Sequence, residues 1–157
     1  MRVNDFKVKY LKTDREINKI IFHCSATREG QDIKMETIRK WHIEDNGWSD
    51  IGYHFVIELD GDVIPARDIN RTGSHAKGFN TGSIGICYVG GCDKDMNPKD
   101  TKTKAQNTSI AALIIHLQEL YPNAEFLGHC DLPNVNKACP SFSVKEFLNN
   151  IHENLFR

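Results

Sequence analysis

Ile84-Gly85-Ile86-Cys87-Tyr88-Val89-Gly90-Gly91 is the stretch on which the fold turns. Apolar, β-branched and aromatic side chains run unbroken by charge and stop at a glycine pair, the pattern of a central strand. On its N-terminal side, Thr72 to Ser83 is rich in Gly, Ser and Asn and carries His75 and Lys77, the composition of an exposed, functional loop. Before that loop, Tyr53-His54-Phe55-Val56-Ile57 and Val63-Ile64 flank Asp60-Gly61, a tight-turn dipeptide, so a β-hairpin is predicted, with Tyr53 on one strand face with Phe55 and Ile57. Further back, Met35, Ile38, Trp41 and His42 follow helical spacing, and Gly47 stands where a helix end wants a residue tolerant of positive φ; a helix is predicted from Met35 to Asn46. The run Lys19-Ile20-Ile21-Phe22-His23 reads as a buried strand delivering His23 at its end, followed by a polar loop from Ser25 to Gln31.

On the C-terminal side, Thr103-Lys104-Ala105-Gln106 fits a capping box, and Ile110, Leu113, Ile114, Leu117 and Leu120 mark one apolar face of a helix stopped near Pro122. Ala124 to Leu127 suits a last short strand. The irregular segment Gly128 to Ser141 contains His129, Lys137, Cys139 and Pro140 and reads as a site loop. Ser143-Val144-Lys145-Glu146 opens a second capping box, with Val144, Phe147, Leu148, Ile151 and Leu155 as the buried stripe of one closing helix. The element order predicts an α/β fold: a single domain over residues 1–157, its central mixed β-sheet flanked by α-helices.

Composition narrows the function classes. A chain of 157 residues with 39% hydrophobic and 26% charged residues can bury a core and gives no sign of disorder. A net charge of −1 supplies no basic field for phosphates, so nucleic acid is not an expected partner. The longest apolar run, Ile110 to Leu120, is broken by His116, Gln118 and Glu119, so no stable membrane insertion is expected. Met1 to Tyr10 lacks the apolar stretch of a secretory signal, which predicts synthesis in the cytoplasm. Five cysteines are an odd number without an export signal, favouring reduced thiols or a metal thiolate over a disulfide framework.

His23, His129 and Cys139 fall at strand or loop ends, and two imidazoles with a thiolate are a known ligand set for tetrahedral zinc with an open fourth position. Spacing alone equally allows two hydrogen-bonded histidines and a buried thiol. Cys24 and Cys130 adjoin two of these residues, but alternation in extended backbone turns both away as buried thiols. Cys87 reads as a buried strand residue, and Cys92 has no assignable role. His42, His54, His116 and His152 lie within predicted elements, where a structural histidine is the common case.

Five segments carry a resemblance beyond spacing: His23-Cys24-Ser25-Ala26-Thr27, Gly47-Trp48 to Gly52-Tyr53-His54-Phe55, Gly73-Ser74-His75-Ala76-Lys77-Gly78, Ser83-Ile84-Gly85 to Gly90-Gly91, and Lys137-Ala138-Cys139-Pro140-Ser141-Phe142. In order from about Ile20 to the final helix, the chain resembles the zinc N-acetylmuramoyl-L-alanine amidases of the coliphage T-seven lysozyme type, the family that includes the peptidoglycan recognition proteins. The resemblance implies one zinc ion on His23, His129 and Cys139, catalytic roles for Tyr53 and Lys137, and peptidoglycan as substrate. It also puts His75 and Lys77 along the glycan and peptide groove. Lys137 would stabilise the developing oxyanion and Tyr53 would orient the attacking water. Two other readings stay open: a module that binds peptidoglycan without cutting it, and a cysteine hydrolase with Cys139 as nucleophile. A phage or prophage endolysin, monomeric by default, suits a small wall-cutting enzyme that reaches the wall only after release.

Overall fold

A computed structural model of the chain describes residues 8–156, so most of the Met1–Tyr10 segment and the side chain of Leu155 lie outside the described residues. The first strand, β1 (Lys19–Cys24), is the predicted His23 strand; it runs one residue further. A short β2 (Thr27–Arg28) follows, inside the segment expected to be loop. Its partner is β6 (Gly91–Cys92), and this two-stranded parallel pairing gives Cys92 a structural place: its carbonyl accepts the Glu29 amide at 2.8 Å.

The predicted first helix is present but changes pitch. An α-helical α1 (Met35–Lys40) passes into a wider π-helical turn, Trp41–Asp45, in which the Asn46 amide reaches back five residues to the Trp41 carbonyl at 3.2 Å. Gly47 closes it with φ +72°, as its position required. The hairpin forms from β3 (Phe55–Ile57) and β4 (Val63–Pro65), antiparallel around Asp60-Gly61. The central strand is β5 (Ser83–Tyr88), followed in sequence by α2 (Lys104–Leu120), β7 (Glu125–Gly128), α3 (Val144–Asn149) and α4 (Ile151–Phe156).

The sheet order is β4-β3-β5-β1-β7, with β3, β5, β1 and β7 parallel and β4 antiparallel at the edge. β5 is therefore central, as its uninterrupted apolar run demanded, and all six of its residues are buried. Alternation sends Ile20, Phe22, Ile84, Ile86, Phe55 and Ile57 to one face, where Ile110, Leu113, Ile114 and Leu117 of α2 cover them together with Val144 and Phe147 of α3. The opposite face, carrying Ile21, His23, Val56 and Cys87, is covered by α1 and by loops, which leaves room for a cleft.

Helix α2 starts as its sequence specified. Thr103 Oγ1 accepts the Gln106 amide at 3.1 Å, and Gln106 Oε1 accepts the Thr103 amide at 2.9 Å. Gln106 is fully buried because its Nε2 also donates to the carbonyls of Ile57 and Val89, tying the helix start to two strands.

Two expectations need correction. The closing helix is broken at Asn150 (φ −114°, ψ 28°), where the Phe147 carbonyl accepts from both the Asn150 amide at 3.2 Å and Asn154 Nδ2 at 3.1 Å. A buried Asn154 satisfies the carbonyl that the interruption frees, so two short helices replace one. Tyr53 lies outside β3 and on the other side of the sheet from Phe55 and Ile57, in the cluster with Ile51 and Val56. The cause is local: the consecutive amides of Ala66 and Arg67 donate to the carbonyls of His54 and Tyr53, while the His54 amide leaves the hairpin for Gly85, so two-residue periodicity ends at Phe55.

Candidate active site

The cleft opens over the sheet face that carries His23 and Cys87, lined by the segments that follow β1 and β7 and by those that precede β3 and β5. β1 delivers His23 there, 1% exposed, in register with Cys87 of β5 and on the same face. His129 follows the last residue of β7 and opens a single 3₁₀ turn, His129–Asp131, pinned by the Asp131 carboxylate accepting the Gly128 amide at 2.8 Å. Cys139 lies on the loop that returns from this turn. That loop is fastened at several points: the Cys130 amide donates to the Cys139 carbonyl at 2.8 Å, Tyr88 Oη donates to the Pro140 carbonyl at 2.7 Å, and Ser141 Oγ donates to the Gly91 carbonyl at 2.9 Å.

These elements bring His23, His129 and Cys139 together, with one ligand-type atom from each inside 4.8 Å of the others, the one group of this kind among the described residues. His23 Nδ1 is 3.8 Å from Cys139 Sγ. Bonds of about 2.1 Å to nitrogen and 2.3 Å to sulfur around a tetrahedral centre put such atoms about 3.6 Å apart, so the donor set fits a zinc-sized ion with small adjustment. The Cys24 amide donates to Cys139 Sγ at 3.3 Å, a contact that suits a thiolate. Burial, before the charges of His75, His129 and Lys137, holds the pKa of His23 well below its usual value, and burial with Lys137 lowers that of His129. Neutral imidazoles are what a metal requires of them.

The other expected residues surround this group. Tyr53 packs its ring at a tilt, 5.1 Å from that of His23, and burial raises the pKa of its hydroxyl, which meets the Cys87 thiol, well above the ordinary range; it remains an O–H donor at any working pH. Lys137 is exposed on one rim of the cleft and Lys77 on another. His75 lines the cleft but is turned inward, its Nδ1 2.8 Å from His23 Nε2. Burial first, and neighbouring charges after it, lower its pKa to about 3. Cys24 lies among the core residues of the opposite sheet face and is buried, whereas Cys130 is half-exposed, its thiol beside Asp131.

Two cleft residues had no assigned role in the sequence. His42 accepts the Gly52 amide on Nδ1 at 2.9 Å and packs its ring 5.4 Å from Tyr53 and 4.7 Å from Trp48. Trp48 borders the cleft and stays 39% exposed. The signal for both was the Gly47-Trp48 turn ending an amphipathic helix, which could be read as a stop but not as a wall.

His54 is a structural histidine, as expected. Its Nδ1 accepts the Gly85 amide at 3.1 Å and its Nε2–H donates to the Arg71 carbonyl at 2.8 Å. Burial, reinforced by Arg15, lowers its pKa to about 4. Above about pH 6.5 the ring is neutral folded and unfolded; as pH falls from there to about 4 only the unfolded chain takes up the proton, so stability drops by on the order of 3 kcal/mol. Urea unfolding of metal-free protein across that window should show the loss, and His54→Gln should flatten part of the slope. Protonation of the His54 ring near pH 6.5 in an NMR titration would contradict this.

The profile of the family described as N-acetylmuramoyl-L-alanine amidase matches residues 13–142, most of the chain and all of the cleft. The chain belongs to the N-acetylmuramoyl-L-alanine amidase family. Its relatives include the endolysin of Klebsiella phage KP32, 43% identical over 90% of this chain and 91% of the relative. The endolysin of Escherichia phage T7 is 44% identical over 85% of this chain and 87% of its own length. Among solved structures, the endolysin amidase LysCS from Clostridium intestinale superposes with a TM-score of 0.73 at 28% identity, covering 88% of this amidase and 85% of that chain. The mixed sheet with flanking helices is therefore the amidase fold expected from the sequence. Among the described residues, no helix of this amidase is long and apolar enough to cross a membrane.

Proposed function

We propose that this enzyme holds one zinc ion on His23, His129 and Cys139 and hydrolyses the amide bond between N-acetylmuramic acid and the L-alanine of the peptidoglycan stem peptide. It thereby acts as a wall-lysing endolysin after release from the cytoplasm. The observation that carries the reading is the convergence of two neutral imidazoles and a thiol within 4.8 Å at the floor of an open cleft, with Tyr53 and Lys137 beside them. The endolysin relatives support the substrate and the biological setting.

When bound, zinc supplies the Lewis acidity that makes water nucleophilic near neutral pH. The chain's own residues do the rest. Lys137, from the rim, donates to the lactyl carbonyl oxygen as negative charge builds on it. Tyr53, kept protonated by burial, donates or accepts one hydrogen bond to orient the attacking water. Lys77 on the neighbouring rim engages the glycan or peptide, and His75 closes the wall behind His23. The leaving group is the alanine amine, which departs with the proton that the attacking water gives up, passed on through the Tyr53 hydroxyl.

The test is release of stem peptide from purified peptidoglycan by zinc-loaded, chelated and zinc-restored protein, read by mass spectrometry. Peptides with a free alanine amine are expected from the first and third samples and none from the second. Zinc binding without cutting would turn the reading to a peptidoglycan-binding module, and cutting that ignores the chelator would overturn the metal assignment.

A further inference from the structure

The imidazole of His23 can offer a metal only one nitrogen, and which one depends on where its single proton sits. The ring faces Cys139 with Nδ1 at 3.8 Å and turns Nε2 inward, where His75 Nδ1 waits at 2.8 Å. Behind His75 the chain of contacts continues: its Nε2 lies 3.2 Å from Ser83 Oγ, and Ser83 Oγ lies 3.2 Å from the Asn80 carbonyl. The last member is an acceptor only. With the Ser83 hydroxyl donating to that carbonyl, the Ser83 oxygen accepts from His75 Nε2–H. A neutral His75 with its proton on Nε2 has a bare Nδ1, which accepts from His23 Nε2–H. His23 is then left with a lone pair on Nδ1, directed at the space between itself and Cys139.

The surroundings hold His75 for this task. Gly85, on the central strand, leaves the ring its place: a Cβ there would come within 2.5 Å of it. Asn80 grips the loop from its other side as well, its Oδ1 accepting the His75 amide at 2.9 Å and the Ala76 amide at 2.8 Å. Asn80 thus positions the backbone of His75 with its side chain and terminates the proton order with its carbonyl.

We propose that His75 is a positioning residue for the metal site, which locks His23 in the tautomer that presents Nδ1 through the ordered series His23–His75–Ser83–Asn80. The proposal rests on the zinc reading given above and goes beyond it, because it moves His75 from the substrate groove to the support of a ligand. Partners of this kind set the tautomer and the basicity of the ligating ring, and their loss costs metal affinity about 10- to 100-fold.

The test is zinc affinity by chelator competition, together with the visible spectrum of the cobalt-substituted protein, for the wild type, His75→Leu, His75→Asn and Ser83→Ala. His75→Leu removes the acceptor at similar bulk and is expected to weaken zinc binding about 10- to 100-fold and to shift the cobalt bands. His75→Asn keeps an acceptor oxygen near the same place and should recover most of the loss. Ser83→Ala, which leaves His75 intact but unanchors its proton, should fall between the wild type and His75→Leu. Should His75→Leu fail to fold, the other two variants carry the same comparison, and ¹⁵N imidazole spectra of metal-free wild type should show His23 protonated at Nε2. Unchanged affinity and cobalt spectrum in the folded variants, or a His23 proton on Nδ1, would overturn the proposal while leaving the zinc reading intact. A wild type that binds no zinc would instead sink the zinc reading.

Discussion

Cys139→Ala is expected to lose both bound zinc and stem-peptide release, and Cys139→Asp to keep a measurable part of each. Alanine leaves two imidazoles facing an open side, so metal affinity falls by more than the roughly 100-fold that losing an outer partner costs. A carboxylate oxygen can take the vacated position, because zinc accepts oxygen at about 2.0–2.2 Å in place of sulfur at about 2.3 Å. The pair of variants separates a ligand from a nucleophile. As a nucleophile, Cys139 would have no substitute in Asp, and its activity would survive chelation in the wild type. The setting of the thiol already favours the ligand role: Cys139 Sγ meets two imidazoles rather than one, with a donor atom of His23 and of His129 inside 4.8 Å, which suits a shared ion better than a single acid–base pair. Cys130→Ala, at a half-exposed thiol outside the ligand group, serves as the control that should change neither readout. Loss of activity in Cys139→Ala with zinc still bound at wild-type affinity would remove Cys139 from the ligand set.

Lys137→Ala is expected to lower kcat by about 10²–10³ with KM nearly unchanged, the signature of a donor used mainly when the oxyanion forms. Zinc should be retained, because the ammonium is not a ligand and its charge opposes, rather than assists, the gathering of positive charge around His23 and His129. Stability should move by no more than about 0.5 kcal/mol, since the side chain is exposed. Full activity in the zinc-loaded variant would take Lys137 out of the chemistry. A rise in KM with kcat preserved would make it a binding residue along the groove instead.

The elements that were legible in the sequence are those whose cause is local or periodic. The Ile84–Val89 run could only be a deeply buried strand, Asp60-Gly61 could only be a turn, and Thr103 with Gln106 carried both halves of a capping box in four residues. The proposed metal trio was legible as residue types, but its convergence was not. Residues at 23, 129 and 139 meet because β1 and β7 are neighbours in the sheet, a pairing that spacing does not reveal.

What escaped the sequence depended on tertiary hydrogen bonds. Tyr53 looked like a strand residue on the face of Phe55, and only the paired amides of Ala66 and Arg67 turn it to the cleft. The closing helix looked continuous until Asn154 stabilised a break at Asn150. His75 sat in a loop whose composition suggested exposure, yet Asn80 and the bare Cα of Gly85 draw it beneath His23.

The three proposed ligands sit on segments that the unfolded chain holds far apart, so an ion joining them would behave as a removable staple between the two ends of the polypeptide. By mass action, free zinc at a hundred times its dissociation constant would add about 2.7 kcal/mol to the unfolding free energy. The melting temperature of this enzyme would then track the zinc content of its surroundings. A newly made copy in a zinc-poor compartment would be not only inactive but easier prey for proteases, and loading would switch on endurance and catalysis in the same event.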